Sequence, residues 1–346
     1  MANGVFSPRD FKAFVIEEAT TGNGFASGYT DPNAPAITAN LHQLDVDSVA
    51  FPSLSPNQVT AIRSRGGRVL HKSDFFQDNE MRAIEVSLSG TFHKDVATTM
   101  LMQSVTGTDL GNAVADVVLG ASPTGVTGKY GESELNKTFS LVLASPDAVD
   151  GHNIIMLGCL CTSFSINAEA GTDGGLYKFE ATISSGKNPV TDNSQTPATA
   201  SSGSVFGTGL ISLISATSAD IYVGAVQAPV ISSFGVTIES PAVYTGFSDT
   251  GFHSFARGAE FTVTANATVK YDSVTRGLYN SLNTQTSATE GNFFAIPQSS
   301  NNCGISMPDG ILTDVAFNEG DAMMPDVSMQ GVSDCSSNVI EFDQAS

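Results

Sequence analysis

A strand-then-helix block occurs twice in this chain, over 84–105 and over 261–282, about 177 residues apart. In the later copy Phe261, Val263, Ala265, Ala267, Val269 and Tyr271 alternate with Thr262, Thr264, Asn266, Thr268 and Lys270, a period of two that turns one apolar face to a core. In the earlier copy Ile84, Val86, Leu88, Gly90 and Phe92 alternate in the same phase with Glu85, Ser87, Ser89, Thr91 and His93. Each strand reaches an aspartate, Asp95 or Asp272, a residue type that caps a helix by accepting from the free amides of its first turn. The apolar spacing then becomes helical, through Met100, Leu101 and Val105 or through Leu278 and Leu282. Two copies of one unit suggest two like halves and assembly.

At 346 residues the chain has room for two domains on a guide of roughly 150 residues each. Residues 1–190 are expected to form the first unit, 191–229 a Ser/Thr/Ala-rich linker or insertion, and 230–346 the second. In the first, Phe11, Ala13 and Val15 suggest a short strand ending at Glu17-Glu18, and Leu44, Val46 and Val49 resume one after a Gly-rich loop. Phe139, Leu141 and Leu143 alternate ahead of a largely apolar run over 154–164. The chain next turns through Gly171-Thr172-Asp173-Gly174-Gly175 between alternating strands, a strong hairpin signal. In the second unit Phe234, Val236 and Ile238 open a strand. Val315 with Phe317, then Val327 with Met329 across an acidic turn, suggest a hairpin placed like the first. Each unit reads as mostly antiparallel β with one helix.

Charge narrows the function. With 35 acidic against 15 basic residues the net charge is −20, which repels the phosphates that a nucleic-acid binder must neutralise. One segment departs from this: Arg63, Arg65, Arg68, His71 and Lys72 lie close together, as a solvated loop or as a contact with an acidic face of another copy. The N-terminus lacks the pattern of a secretion signal, and the apolar stretch 206–231 is interrupted by Gly, Ser, Thr and Asp220, so synthesis in a cytoplasm and no membrane segment are expected. Cys159, Cys161, Cys303 and Cys335 are too few for a disulfide scaffold and too far from histidine for a zinc site. No nucleophile elbow, metalloprotease pair, phosphate loop or calcium loop occurs, and the five histidines, His42, His71, His93, His152 and His253, are scattered with no nucleophile beside them in sequence. Glu319, Asp321 and Asp326 read as a solvated turn rather than a calcium site. No catalysis, cofactor or metal is expected.

Four segments together resemble a known family: 85–105, 157–166 with its hairpin to Lys187, 233–239 and 257–263. In that order they are similar to the tail tube (major tail) proteins of long-tailed bacteriophages, in their internally duplicated, two-domain form. The resemblance implies a β-sandwich or partial barrel with a helix on one side in each unit, whose copies close into rings that stack into a tube. Rings of this family typically hold six units, so three two-unit copies would give a pseudo-sixfold trimer. It also implies a place in the virion tail, with the tape-measure, tail-terminator and distal tail proteins as partners and DNA passing without specific binding. Arg63, Arg65, Arg68 and Lys72 would then contact the next subunit or ring, and an acidic lumen would keep DNA from sticking. The alternatives are another virion β protein, of decoration or baseplate type, or a carbohydrate-binding adhesin module. The lack of tryptophan and an aromatic content of 8% weigh against the adhesin.

Overall fold

Both period-two segments form strands and both aspartates cap the turn that follows. The computed structural model describes residues 7–18, 41–53, 57–60, 75–78, 83–108, 110, 113–119, 138–145, 153–186, 189–192, 211, 213, 221–227, 229–248, 251–257, 261–273, 275–284, 294–296, 303–317, 323–332 and 338–344. In chain order the earlier half holds β1 (Lys12–Glu17), β2 (His42–Leu44), β3 (Val46–Ser48), β4 (Asn57–Thr60), β5 (Phe75–Asp78), β6 (Ile84–Thr91), helix α1 (Val96–Thr106), β7 (Val117–Leu119), β8 (Phe139–Ala144), β9 (Asn153–Glu169), β10 (Lys178–Ser185) and β11 (Val190–Asp192). After β12 (Tyr222–Val223) and β13 (Val226–Gln227) come β14 (Ile231–Glu239), β15 (Ala242–Ser248), β16 (Gly251–Arg257), β17 (Thr262–Val269), helix α2 (Arg276–Thr284), β18 (Phe294–Ile296), β19 (Gly304–Met307), β20 (Gly310–Phe317), β21 (Pro325–Gly331) and β22 (Ile340–Asp343). The protein is mainly β, its pairings are antiparallel, and each half carries one α-helix among the described residues.

The main sheet contains the order β3-β6-β10-β9 followed by β14-β17-β21-β20. Each group of four is a leading strand, the strand of the repeated block, and the two strands of the hairpin that follows it, in reversed order. Each block strand is also preceded in sequence by a separate two-stranded hairpin, β4–β5 in one half and β15–β16 in the other. The groups meet where β9 pairs β14, Ser163 opposite Glu239 through Glu169 opposite Ser233. A second sheet runs β13-β12-β18-β19-β22-β7, so a strand of the earlier half, β7, closes onto strands of the later one.

The helix caps match atom for atom. Asp95 Oδ1 accepts from Thr98 N at 2.8 Å, Thr99 N donates to Asp95 O at 3.1 Å, and the Thr98 hydroxyl donates to His93 O at 2.5 Å. In the other half Asp272 Oδ1 accepts from Thr275 N at 3.1 Å, Arg276 N donates to Asp272 O at 3.0 Å, and the Thr275 hydroxyl donates to Lys270 O at 2.7 Å. One difference follows the cap: α1 starts at once, whereas α2 starts at Arg276. Another concerns side chains. Ten of the residues of α1, from Ala97 to Thr106, are buried, because the helix lies between sheets and the Thr99 hydroxyl reaches Gln344 near the far end of the chain at 3.4 Å. On α2 Leu278 is buried while Tyr279 remains 47% exposed. Gly90, where β6 meets β3, has no counterpart in its partner block, which carries Ala267 there; a Cβ on Gly90 would lie 1.8 Å from Asp45 O.

One hydrophobic cluster spans both halves, from Val15 and Leu88 through Phe164 and Phe234 to Phe342. The 17-residue β9 explains the apolar run seen in sequence: its beginning pairs β8 and its end pairs β14, so it is buried along most of its length. Gly158, at φ 64°, sits where the register against β8 slips, and its amide donates at 2.6 Å to the buried carboxylate of Glu18. Ser140 and Thr138 donate to the same carboxylate, which makes Glu18 the lock of that bulge.

Residues 191–229, read above as a linker or insertion, contribute structure where they are described. Ile211 and Val223 are fully buried, Ile211 O accepts from Tyr177 N at 2.8 Å, and β12 pairs β18. Strands of two residues are too short to show a period. The expected hairpins over 163–183 and 315–329 are both present, as β9–β10 and β20–β21.

Candidate functional site

The face of the main sheet turned away from the core is carpeted with short polar side chains. Adjacent strands align Ser89, Glu180, Ser165, Thr237, Thr264 and Gln330 in one unbroken row, and Ser87, Thr182, Ser163, Glu239 and Thr262 in the next. An open groove of about 390 Å³ lies on this face over Ser87, Ser163, Ser165, Glu180, Thr182 and Thr237. Glu85, Glu169, Glu180 and Glu239 are exposed on these strands, and the half-buried Lys178 is shared with Asp47 at 3.7 Å. Such a face is polar and acidic, with hydroxyls and carboxylates side by side.

The two ends of the eight-stranded order differ from its middle. Among the described residues β3 pairs only β6 and β20 pairs only β21, so each presents a row of main-chain donors and acceptors along its outer edge. At the end of β20 two large apolar side chains are open together: Phe317 is 37% exposed and Tyr279 on α2 47%, and Phe317 packs with Tyr271 and Tyr279 at ring-centre distances of 5.5 Å. Exposed apolar side chains grouped in one place mark contact surfaces more often than single ones do.

A buried arginine sits where β9 leaves β8 for β14. Arg257 Nη1 donates to Cys161 O at 2.9 Å and to Ser240 O at 2.7 Å, its Nη2 donates to Ser104 O at the end of α1, and Cys161 N donates to Ser104 Oγ at 3.0 Å. The guanidinium fork suits three carbonyls at once.

Among the described residues, further reactive residue types lie elsewhere in the fold; His71, His152 and Cys335 lie outside them. His93 Nε2 meets Asp45 Oδ2 at 2.9 Å, a pair that sequence distance concealed. Cys159, Cys161 and Cys303 are buried free thiols, and burial pushes Cys161 up to about 12, so these thiols stay protonated. No group of three His, Cys, Asp or Glu side chains converges as metal ligands among the described residues, and no helix there is long and apolar enough to cross a membrane. Asp326 accepts from the Thr268 hydroxyl at 2.5 Å; Glu319 and Asp321 lie outside the described residues. Arg63, Arg65, Arg68, His71 and Lys72 also lie outside them, in the segment 61–74 that joins paired Thr60 and Phe75. Sequence reasoning missed Glu18 and Arg257, most of whose partners lie 96 to 153 residues away and leave no local signal; Ser240, 17 residues before Arg257, is the exception. No protein-family model matches the chain, and no curated protein matches it.

Proposed function

We propose that this chain is a self-assembling structural protein of a virion, whose copies close into rings that stack into the tail tube of a long-tailed bacteriophage. One observation carries the reading: two four-strand groups with the same strand order, the same preceding hairpin and the same capped helix stand side by side in one sheet. A unit that already continues its sheet into a second unit is suited to continue into a third. Three copies would then supply six units. Open borders that would invite aggregation in a monomer are covered in a closed ring.

The polar face supports a role as the wall of a conduit. Short hydroxyls and exposed glutamates offer DNA neither cationic anchors nor aromatic platforms for bases, so a strand passing by would slide rather than stick. The same face argues against an adhesin, since a sugar site normally sets an aromatic ring beside its polar groups, and the groove is lined by Ser, Thr, Ala, Leu and Glu. In this reading the tape-measure, tail-terminator and distal tail proteins meet the tube at its bore and ends, and the basic segment 61–74 contacts a neighbouring copy. Native mass spectrometry of the purified chain tests it: species in multiples of three chains support the ring, and a single-chain species across a wide concentration range counts against it.

A further inference from the structure

We infer that successive copies join head to tail, the outer edge of β20 in one copy pairing antiparallel with the outer edge of β3 in the next, in the register that already joins β9 to β14 inside one chain. This rests on the ring reading above and names the two borders which that reading needs.

The directions fit. Every neighbour in the order β3-β6-β10-β9-β14-β17-β21-β20 is antiparallel, so β20 laid beside a second β3 stands in the same relation as β9 beside β14. The register follows from matching the halves at Gly90 and Ala267. Val46 is opposite Gly90 and Phe234 is opposite Ala267, so Val46 holds the place of Phe234. On the other side Phe179 links Gly90 to Ile166, and Val327 links Ala267 to Val315, so Val315 holds the place of Ile166 and Phe317 that of Ala168. Within the chain Ala168 is opposite Phe234. Between chains Phe317 is therefore opposite Val46, with the large and the small side chain exchanged.

Exposure agrees with this placement. Ala168 is 4% exposed because β14 covers it, whereas Phe317 in the matching position is 37% exposed. Likewise α1 is buried, with Gln344 of the later half reaching its Thr99, while Tyr279 on α2 is open beside β20. Phe317, left bare at the β20 border, thus has a covered counterpart in Ala168 of β9, and the cover there is β14, the leading strand of the other unit. The Val315–Phe317 end of β20 carries no charge or proline to guard a free edge; the bulge and the exposed Asp314 lie before it. The contact is heterologous, with two different borders, as ring closure requires.

The test uses the full chain with Cys335→Ser, in which the remaining native thiols are the buried Cys159, Cys161 and Cys303. Val46→Cys and Phe317→Cys are made separately, each variant is treated alone and in an equal mixture with a short thiol-to-thiol crosslinker, and the chains are resolved under denaturing conditions. Asp47→Cys with Ala316→Cys, both exposed, repeats the measurement where Val46→Cys disturbs β3. The inference expects a two-chain band in the mixture and its loss in either variant alone. A two-chain band from Phe317→Cys alone would mean like-to-like edge pairing and would overturn it. Rings seen by microscopy without any crosslink in either mixture would overturn the inference and leave the ring reading standing. Absence of both rings and crosslinks overturns both.

Discussion

Ala168 of β9 lies directly opposite Phe234 of β14, and through this pair two groups of four strands become one sheet. Phe234 is 2% exposed and meets Tyr177 edge-on at 5.1 Å and Phe294 at 6.1 Å, so it ties both sheets to the junction. Truncating such a ring costs about 3–5 kcal/mol. Phe234→Ala is expected to lower the unfolding free energy obtained from urea denaturation by that amount while unfolding stays a single cooperative step, because one hydrophobic cluster spans both halves. Two separate transitions in the parent chain would contradict the shared core.

Arg257 holds the carbonyls of Cys161 and Ser240 and adds to the Gly107 amide on Ser104 O. Arg257→Met is expected to destabilise by about 2 kcal/mol or more, since each orphaned buried acceptor costs roughly 1–3 kcal/mol. Arg257→Lys should recover part of the loss, because an ammonium reaches fewer carbonyls than the fork. Equilibrium urea unfolding of the two variants checks the order: parent, then Lys, then Met.

The matched caps make a paired expectation. Asp95→Ala and Asp272→Ala should each cost about 1 kcal/mol. Asp95 adds a pH dependence, because burial raises its carboxyl above the ordinary 3.8 against the opposing pull of the Thr98 hydrogen bonds. An acid raised in the folded state binds its proton more tightly when folded, so its stabilisation is full below the unfolded value and is lost as pH climbs through the folded one. Asp95→Asn keeps the acceptor and does not titrate. Thermal unfolding should therefore show the parent losing ground to Asp95→Asn as pH rises above about 4; a parent that gains ground over that range would contradict the assignment.

The polar face can be made sticky. Ser165→Lys with Thr237→Lys places two cations at neighbouring positions of one row. Stability should change by no more than about 0.5 kcal/mol. Assemblies of the variant are expected to retain DNA at low salt and release it as salt rises, while the parent retains none. A filter-binding assay at two salt concentrations reads the difference.

What was legible in the sequence was local. The alternation over 84–92 and 261–269, the capping aspartates and the Asp173-Gly174 turn lie within a few residues of the structure they specify, and each formed as expected. The junction was not legible, because β9 and β14 are separated by most of a strand pair and the segment 191–229, and neither alternation names its partner. Glu18 looked like the polar end of a short strand, yet its donors stand 120 to 140 residues away. The repeated strand and its capping aspartate were visible as pattern. That one core would run through both halves was not, since periodicity says which face is buried and is silent about what buries it. The basic residues Arg63, Arg65, Arg68 and Lys72 stood out by charge alone, and charge contrast carries no geometry.

If like units continue around a closed circle, electron microscopy of the purified protein will show hollow rings, alone or stacked into tubes, in which averaged end views have six similar lobes contributed by three chains. Solid single-chain particles, or rings whose lobes do not repeat in pairs, would contradict it.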